Sequence, residues 1–227
     1  MTWKAGLDFF CNDKGCSKRR DWMRDCSLLA LATAVPGLAP AATTRRIVVL
    51  GDSLSAEYGI PRGSGWVALL ERRLQERRIA AEVVNASISG DTTAGGRSRL
   101  PALLDKQRPT HLIIELGGND ALRGLPLSAT RENLRAMVRA AKAAKAKVLL
   151  VGMQVPPNYG PSYGRDFAAL FAEVAREEKT ALTPFLLAGV ADRPDAEAWF
   201  QPDRIHPLAK AHPLMLEAVW RSLEPLI

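Results

Sequence analysis

A chain of 227 residues that is 47% hydrophobic and 24% charged has ample apolar material for one core. Its formal charge of +7 is a modest excess, and the densest cluster, Glu71 to Arg78, mixes both signs at helical spacing in the manner of a solvated helix face. With no basic stripe interleaved by aromatics, nucleic-acid binding is excluded. All three cysteines, Cys11, Cys16 and Cys26, fall within the first 41 residues, so neither a disulfide framework nor a zinc site is expected in the rest of the chain.

Residues 1–41 have the layout of a cleaved secretory signal peptide. Lys18, Arg19, Arg20 and Arg24 precede a mildly apolar run from Cys26 to Leu38, and Ala39-Pro40-Ala41 follows as a small-residue cleavage site. Lys18-Arg19-Arg20-Asp21-Trp22-Met23-Arg24 resembles a twin-arginine export signal, an address read by export machinery. The apolar run falls short of the roughly 20 residues that a membrane-spanning helix needs. A periplasmic or secreted product without a stable membrane anchor is therefore expected.

Residues 42–227 read as a single α/β domain, because short β-branched runs alternate with segments of helical periodicity. Strands are expected at 46–50, 81–86, 111–116, 147–152 and, more weakly, 181–185. Helices are expected at 65–78, 93–106, 128–144, 163–178 and 209–223. The junctions Gly51-Asp52-Ser53, Ser87 to Asp91 and Gly117 to Asp120 are polar or glycine-rich. Ligands of open α/β sheets sit beyond the carboxyl ends of the strands, so these junctions should line one crevice.

Three residues in this pattern suit nucleophilic catalysis. Ser53 follows the apolar run Ile47 to Leu50, where the chain begins its next helical turn and free backbone N–H groups and a helix dipole would face its hydroxyl. A hydroxyl needs a base to take its proton and a carboxylate to orient that base. His206, alone among the three histidines, has a carboxylate three residues earlier, Asp203, on the same face of one turn. The Ser53 and Gly90 N–H groups and the Asn119 amide would supply three donors to a developing oxyanion.

The blocks Gly51-Asp52-Ser53-Leu54-Ser55, Gly90, Gly117-Gly118-Asn119-Asp120 and Asp203-x-x-His206 together resemble the SGNH, or GDSL, hydrolase superfamily. Residues 84–92, 100–104, 115–120 and 157–160 bring the likeness closer to its bacterial periplasmic thioesterase, arylesterase and lysophospholipase subgroup. The resemblance implies a flavodoxin-like three-layer α/β/α sandwich with a five-stranded parallel sheet, no metal or organic cofactor, and Ser53, Asp203, His206, Gly90 and Asn119 as the site. It further implies an acyl ester or thioester substrate, and a loop after the fourth strand, with Pro157, Asn158 and Tyr159, bordering an acyl-chain groove. The chain is expected to act as a monomer. Glu57 replaces a small residue of some relatives and is expected to put a carboxylate beside that groove.

Two other readings use the same crevice. Asp52, Asp91, Asp120 and Asp203 could gather to hold Mg²⁺ for phosphoryl transfer, or a catalytically silent exported protein could bind an acyl or glycan ligand. An ordinary α/β-hydrolase is disfavoured by the absence of a Gly-x-Ser-x-Gly elbow.

Overall fold

Ile47-Val48-Val49-Leu50 lacks the alternation of a half-solvated strand, and a run that is apolar on both faces must be covered on both. The computed structural model, which describes residues 45–227, places it inside a sheet, paired on both sides. The expected leader over residues 1–41, its cleavage site and the cysteines lie outside the described residues. Five strands form the sheet: β1 (Arg45–Gly51), β2 (Ala81–Asn85), β3 (His111–Glu115), β4 (Lys147–Val151) and β5 (Ala181–Thr183). All pairs are parallel in the order β2-β1-β3-β4-β5, the order of flavodoxin-like doubly wound folds.

Six helices cover the sheet: α1 (Trp66–Glu76), α2 (Thr93–Gln107), α3 (Gly118–Leu122), α4 (Leu127–Ala143), α5 (Pro161–Glu177) and α6 (His212–Leu223). α1 packs on α6, while α4 packs on both α2 and α5, giving three layers. Each layer buries a helical stripe, such as Trp66, Val67, Leu70 and Leu74 on α1 or Thr130, Leu134, Met137, Val138 and Ala141 on α4. A fully buried Leu or Phe contributes about 1.5–3 kcal/mol over an exposed one, and Phe167 and Phe171 meet edge to face at 5.4 Å.

The expected strands and long helices are present, with shifted ends. β5 stops at Thr183 rather than 185 because Pro184 has no N–H for the ladder. α5 and α6 take their starts from Pro161 and Pro213, which fit a first helical turn. The short α3 has too few residues to show a period. Several turns close on cations in the left-handed region, Arg78, Arg108, Lys145 and Lys179, where glycine is the usual signal. Among the described residues no helix is long and apolar enough to cross a membrane.

His212 joins two helices of one layer that sequence keeps apart, α1 and α6. From the first turn of α6 its Nδ1 accepts the Trp66 N–H at 3.0 Å, satisfying a free donor at the start of α1, where Gly65 supplies no side-chain cap. Burial lowers its pKa from the usual 6.5 to about 4, against a small upward pull from the Glu57 charge. Between those values the unfolded chain binds the extra proton, so the stability contribution is complete above pH 6.5 and is lost as pH falls towards 4. We expect a loss of about 3 kcal/mol over that window. Urea denaturation should show a shallower acid slope for His212→Asn than for the parent, a comparison that cancels the opposite slope contributed by Asp52.

Candidate active site

Strand order puts the carboxyl ends of β2, β1 and β3 side by side, with the direction of winding reversing between β1 and β3. After β1 the chain makes a single helical turn, with Ser55 and Ala56 N–H donating to the Asp52 carbonyl at 3.2 and 2.9 Å. The next helix begins only at Trp66. The helix dipole expected at Ser53 is therefore absent, and the N–H groups of one turn stand in its place. Leu54 N–H is occupied by Asp52 Oδ1 at 3.0 Å, while the N–H groups of Ser53 and Gly90 have no protein partner among the described residues.

His206 arrives from the far end of the chain on a small hairpin. Phe200 and Pro207 form an antiparallel bridge, Gln201 N–H donates to the His206 carbonyl at 2.7 Å, and Arg204 turns the tip with φ of 57°. Asp203 Oδ1 accepts the Ile205 and His206 N–H groups at 2.9 and 3.0 Å. Its Oδ2 lies 2.6 Å from His206 Nδ1, and His206 Nε2 lies 2.8 Å from Ser53 Oγ. Burial alone would raise the Asp203 pKa, but these hydrogen bonds outweigh it and hold the carboxyl below the usual range. The chain thus brings a hydroxyl to an imidazole 153 residues away, itself held by a carboxylate three residues before it.

Gly90 adopts φ of 79°, a left-handed conformation that a residue with a Cβ rarely takes. The Arg123 guanidinium holds its carbonyl at 2.8 Å. Arg99 of α2 bridges three elements: Nε meets Asp91 Oδ2 at 2.8 Å, Nη2 meets the Gly51 carbonyl at 3.3 Å, and Nη1 donates to the Ala86 carbonyl. Asn119 lies in α3, where its amide nitrogen donates to Asp52 Oδ2 at 3.0 Å and to the Asp91 carbonyl at 2.9 Å. Its two N–H groups thus rest on Asp52 and on the Asp91 carbonyl.

The four acids of the metal reading take separate partners. Asp52 holds Leu54 and Asn119, Asp91 holds Arg99, Asp120 accepts from Thr93 and Thr130, and Asp203 holds His206. Among the described residues no three acidic, His or Cys side chains converge in metal-binding geometry. Glu57 also departs from expectation: in a left-handed conformation (φ 59°) it accepts Gly63 N–H at 2.9 Å and Gly65 N–H at 2.8 Å, closing its own loop. That loop sets Tyr58 against His206, with ring centroids 4.4 Å apart, and Gln201 Nε2 donates to the Tyr58 carbonyl at 2.9 Å.

The large apolar side chains that stand exposed among the described residues are Tyr58, Ile88, Leu122 and Ile205, at 51, 53, 39 and 39%. All four sit in segments that also carry Ser53, Gly90, Asn119 or His206. Beyond β4, residues 157–159 form a short 3-10 turn, and Tyr159 stacks on Tyr163 at 6.2 Å. Glu115, Arg99, Arg123 and Tyr58 escaped the sequence reading, which weighed Asp52 only as a motif residue and metal ligand. A carboxylate ending the apolar run His111-Leu112-Ile113-Ile114 was the one legible signal among them.

The chain matches the family model described as GDSL-like Lipase/Acylhydrolase family over residues 49–214. It is 48% identical over 200 residues to Esterase TesA of Pseudomonas aeruginosa, covering 88% of this chain and 98% of that protein. It is 41% identical over 187 residues to Thioesterase 1/protease 1/lysophospholipase L1 of Escherichia coli K12, covering 82% of this chain and 87% of that one. A solved structure titled Crystal Structure of TesA superposes with a TM-score of 0.77 at 50% identity, covering 81% of this chain and 100% of the other.

Replacing Glu57 by Ala leaves two loop N–H groups without their acceptor. Unfolding in urea should show a loss of about 1–3 kcal/mol, with Glu57→Gln, which keeps an acceptor oxygen, losing less.

Proposed function

Because the chain belongs to the GDSL-like lipase/acylhydrolase family and is an ester hydrolase, we propose that Ser53, His206 and Asp203 carry out its chemistry on acyl esters and thioesters. The observation that carries the reading is the hydrogen-bonded chain from Asp203 Oδ2 through His206 to Ser53 Oγ, at 2.6 and 2.8 Å. Ser53 Oγ attacks the acyl carbonyl as His206 Nε2 takes its proton. Asp203 fixes the tautomer that leaves Nε2 able to accept and stabilises the imidazolium that forms. The tetrahedral intermediate then collapses, its leaving alcohol or thiol takes the proton back from His206, and an acyl-Ser53 ester remains. Water, deprotonated by His206, releases the acid and regenerates the hydroxyl.

Negative charge on the carbonyl oxygen falls to the unpartnered N–H groups of Ser53 and Gly90 and to one Asn119 N–H, which exchanges the Asp91 carbonyl for the oxyanion while the other stays on Asp52. Such preorganised donors each contribute about 10²- to 10³-fold in turnover. The exposed apolar rim of Tyr58, Ile88, Leu122 and Ile205 suits a hydrocarbon acyl chain. The turn of Pro157, Asn158 and Tyr159 that follows β4 is assigned to the border of the same acyl chain, as the family resemblance implies. No metal or organic cofactor enters the scheme. The basic and then apolar leader over residues 1–41 supports export through twin-arginine or general machinery, cleavage near Ala41 and a periplasmic or secreted product without a stable membrane anchor.

Ser53→Ala and His206→Ala should each lower kcat on p-nitrophenyl butyrate by several orders of magnitude. An organophosphorus reagent should label the parent and not Ser53→Ala. Normal turnover by Ser53→Ala would end the proposal. Across p-nitrophenyl esters of increasing length, Ile88→Ser combined with Leu122→Ser should lower kcat/KM about tenfold for long chains, and far less for the acetate. An equal loss for all lengths would remove the rim from substrate binding.

A further inference from the structure

Behind the Ser53 turn lie two carboxyl groups that the mechanism above does not use. Glu115, the last residue of the central strand β3, is fully buried, and Asp52 is 2% exposed. Glu115 Oε2 accepts the Ser55 hydroxyl at 2.7 Å and the Asp52 N–H at 3.2 Å. The Ser55 hydroxyl in turn accepts the Trp66 indole N–H at 3.2 Å. Space for this carboxyl is made by Gly51, where a Cβ would come within 2.8 Å of both Glu115 Oε2 and Ser55 Oγ. The glycine of the Gly51-Asp52-Ser53 run therefore accommodates a carboxyl from the neighbouring strand.

Glu115 Oε1 is buried and meets no donor. A buried carboxylate oxygen left in that state is costly, whereas the same oxygen carrying a proton becomes a donor seeking an acceptor. The neighbouring acceptor is Asp52, whose own N–H already reaches Glu115 Oε2 and whose carboxyl interacts with the Glu115 carboxyl. Asp52 Oδ1 receives Leu54 N–H and Oδ2 receives Asn119. Among the described residues no cation pairs with either carboxyl: Arg99 of α2 is engaged by Asp91 and by the Gly51 and Ala86 carbonyls, and His206 influences Asp52 through its charge without a hydrogen bond.

We propose that Glu115 is a positioning residue for oxyanion stabilisation: as a neutral carboxylic acid it donates to the Asp52 carboxylate, and Asp52 thereby fixes the Asn119 amide. Burial and the Asp52 charge both push the Glu115 pKa well above the usual range, while burial raises Asp52 only to about 6. Near neutral pH one proton therefore serves the pair and resides on Glu115. Asn119 in α3 keeps one N–H on Asp52, which fixes its orientation, while the N–H now on the Asp91 carbonyl is the one that turns to the oxyanion. The assignment rests on the role proposed for Asn119.

The test combines infrared spectroscopy with kinetics on the intact chain. At pH 7.5 (about three units above a free Glu) the parent should show a protonated-carboxyl C=O band that is absent from Glu115→Gln. Its absence from the parent overturns the proposal. Glu115→Leu should lower kcat about 30- to 100-fold with KM little changed, and Glu115→Gln, a neutral donor of the same shape, should recover at least tenfold of that loss. In an Asn119→Ala background the kcat effect of Glu115→Leu should shrink to about twofold or less. An undiminished effect in that background, or a Gln variant as impaired as Leu, overturns it. If Glu115→Leu does not fold, the infrared band and the Gln variant decide alone. Because Ser53→Ala tests the hydrolytic reading separately, loss of the Glu115 proposal leaves that reading intact.

Discussion

Parallel pairing of β1 with β2 on one side and β3 on the other is the constraint from which the site follows. Register matches Val49 with Asn85 and Gly51 with Glu115, so the segments after these strands emerge at one edge and in different directions. The gap between them is created by the reversal of winding, not by any single side chain. The Ser53 turn, the Gly90 loop and α3 all lie at this edge, the first two with unpartnered backbone N–H groups and the third with the Asn119 amide resting on Asp52 and the Asp91 carbonyl. A sheet in which β1 stood at an edge would leave Ser53 with one neighbouring strand end instead of two.

Closure of the site depends on a second, weaker device. The hairpin carrying His206 is held by the Phe200–Pro207 bridge and by Gln201, which reaches across to the Tyr58 carbonyl. Glu57 shapes the loop that presents Tyr58, and His212 anchors the start of the helix that follows this loop. The two ends of the chain are thus tied by polar contacts around one imidazole. That arrangement fixes the distance between base and hydroxyl without burying either in the core.

Charge is apportioned unevenly through the site. Asp203 lies near the surface, where backbone donors and His206 favour its ionised form. Asp52 and Glu115 lie in the core beneath, where burial favours protons. One layer is therefore suited to stabilising a transient imidazolium and the other to holding dipoles still. Arg99 and Arg123 act on backbone carbonyls of the intervening loops, so their charges orient peptides without facing the hydroxyl directly.

Local patterns in the chain were sufficient for five strands, the long helices, the parallel architecture and the pairing of Asp203 with His206. Each rests on contacts within a few residues or on burial on both faces of a strand, properties that periodicity and short spacing carry. Only folding decided that Ser53 meets a turn and not a helix end, that Asn119 leans on Asp52, and that Glu57 spends its carboxylate on its own loop. Those outcomes depend on which distant groups compete for the same donor or cavity. The Gly51 that makes room for Glu115 shows why: its reason for being glycine lies 64 residues away, across a strand pairing that no local pattern records.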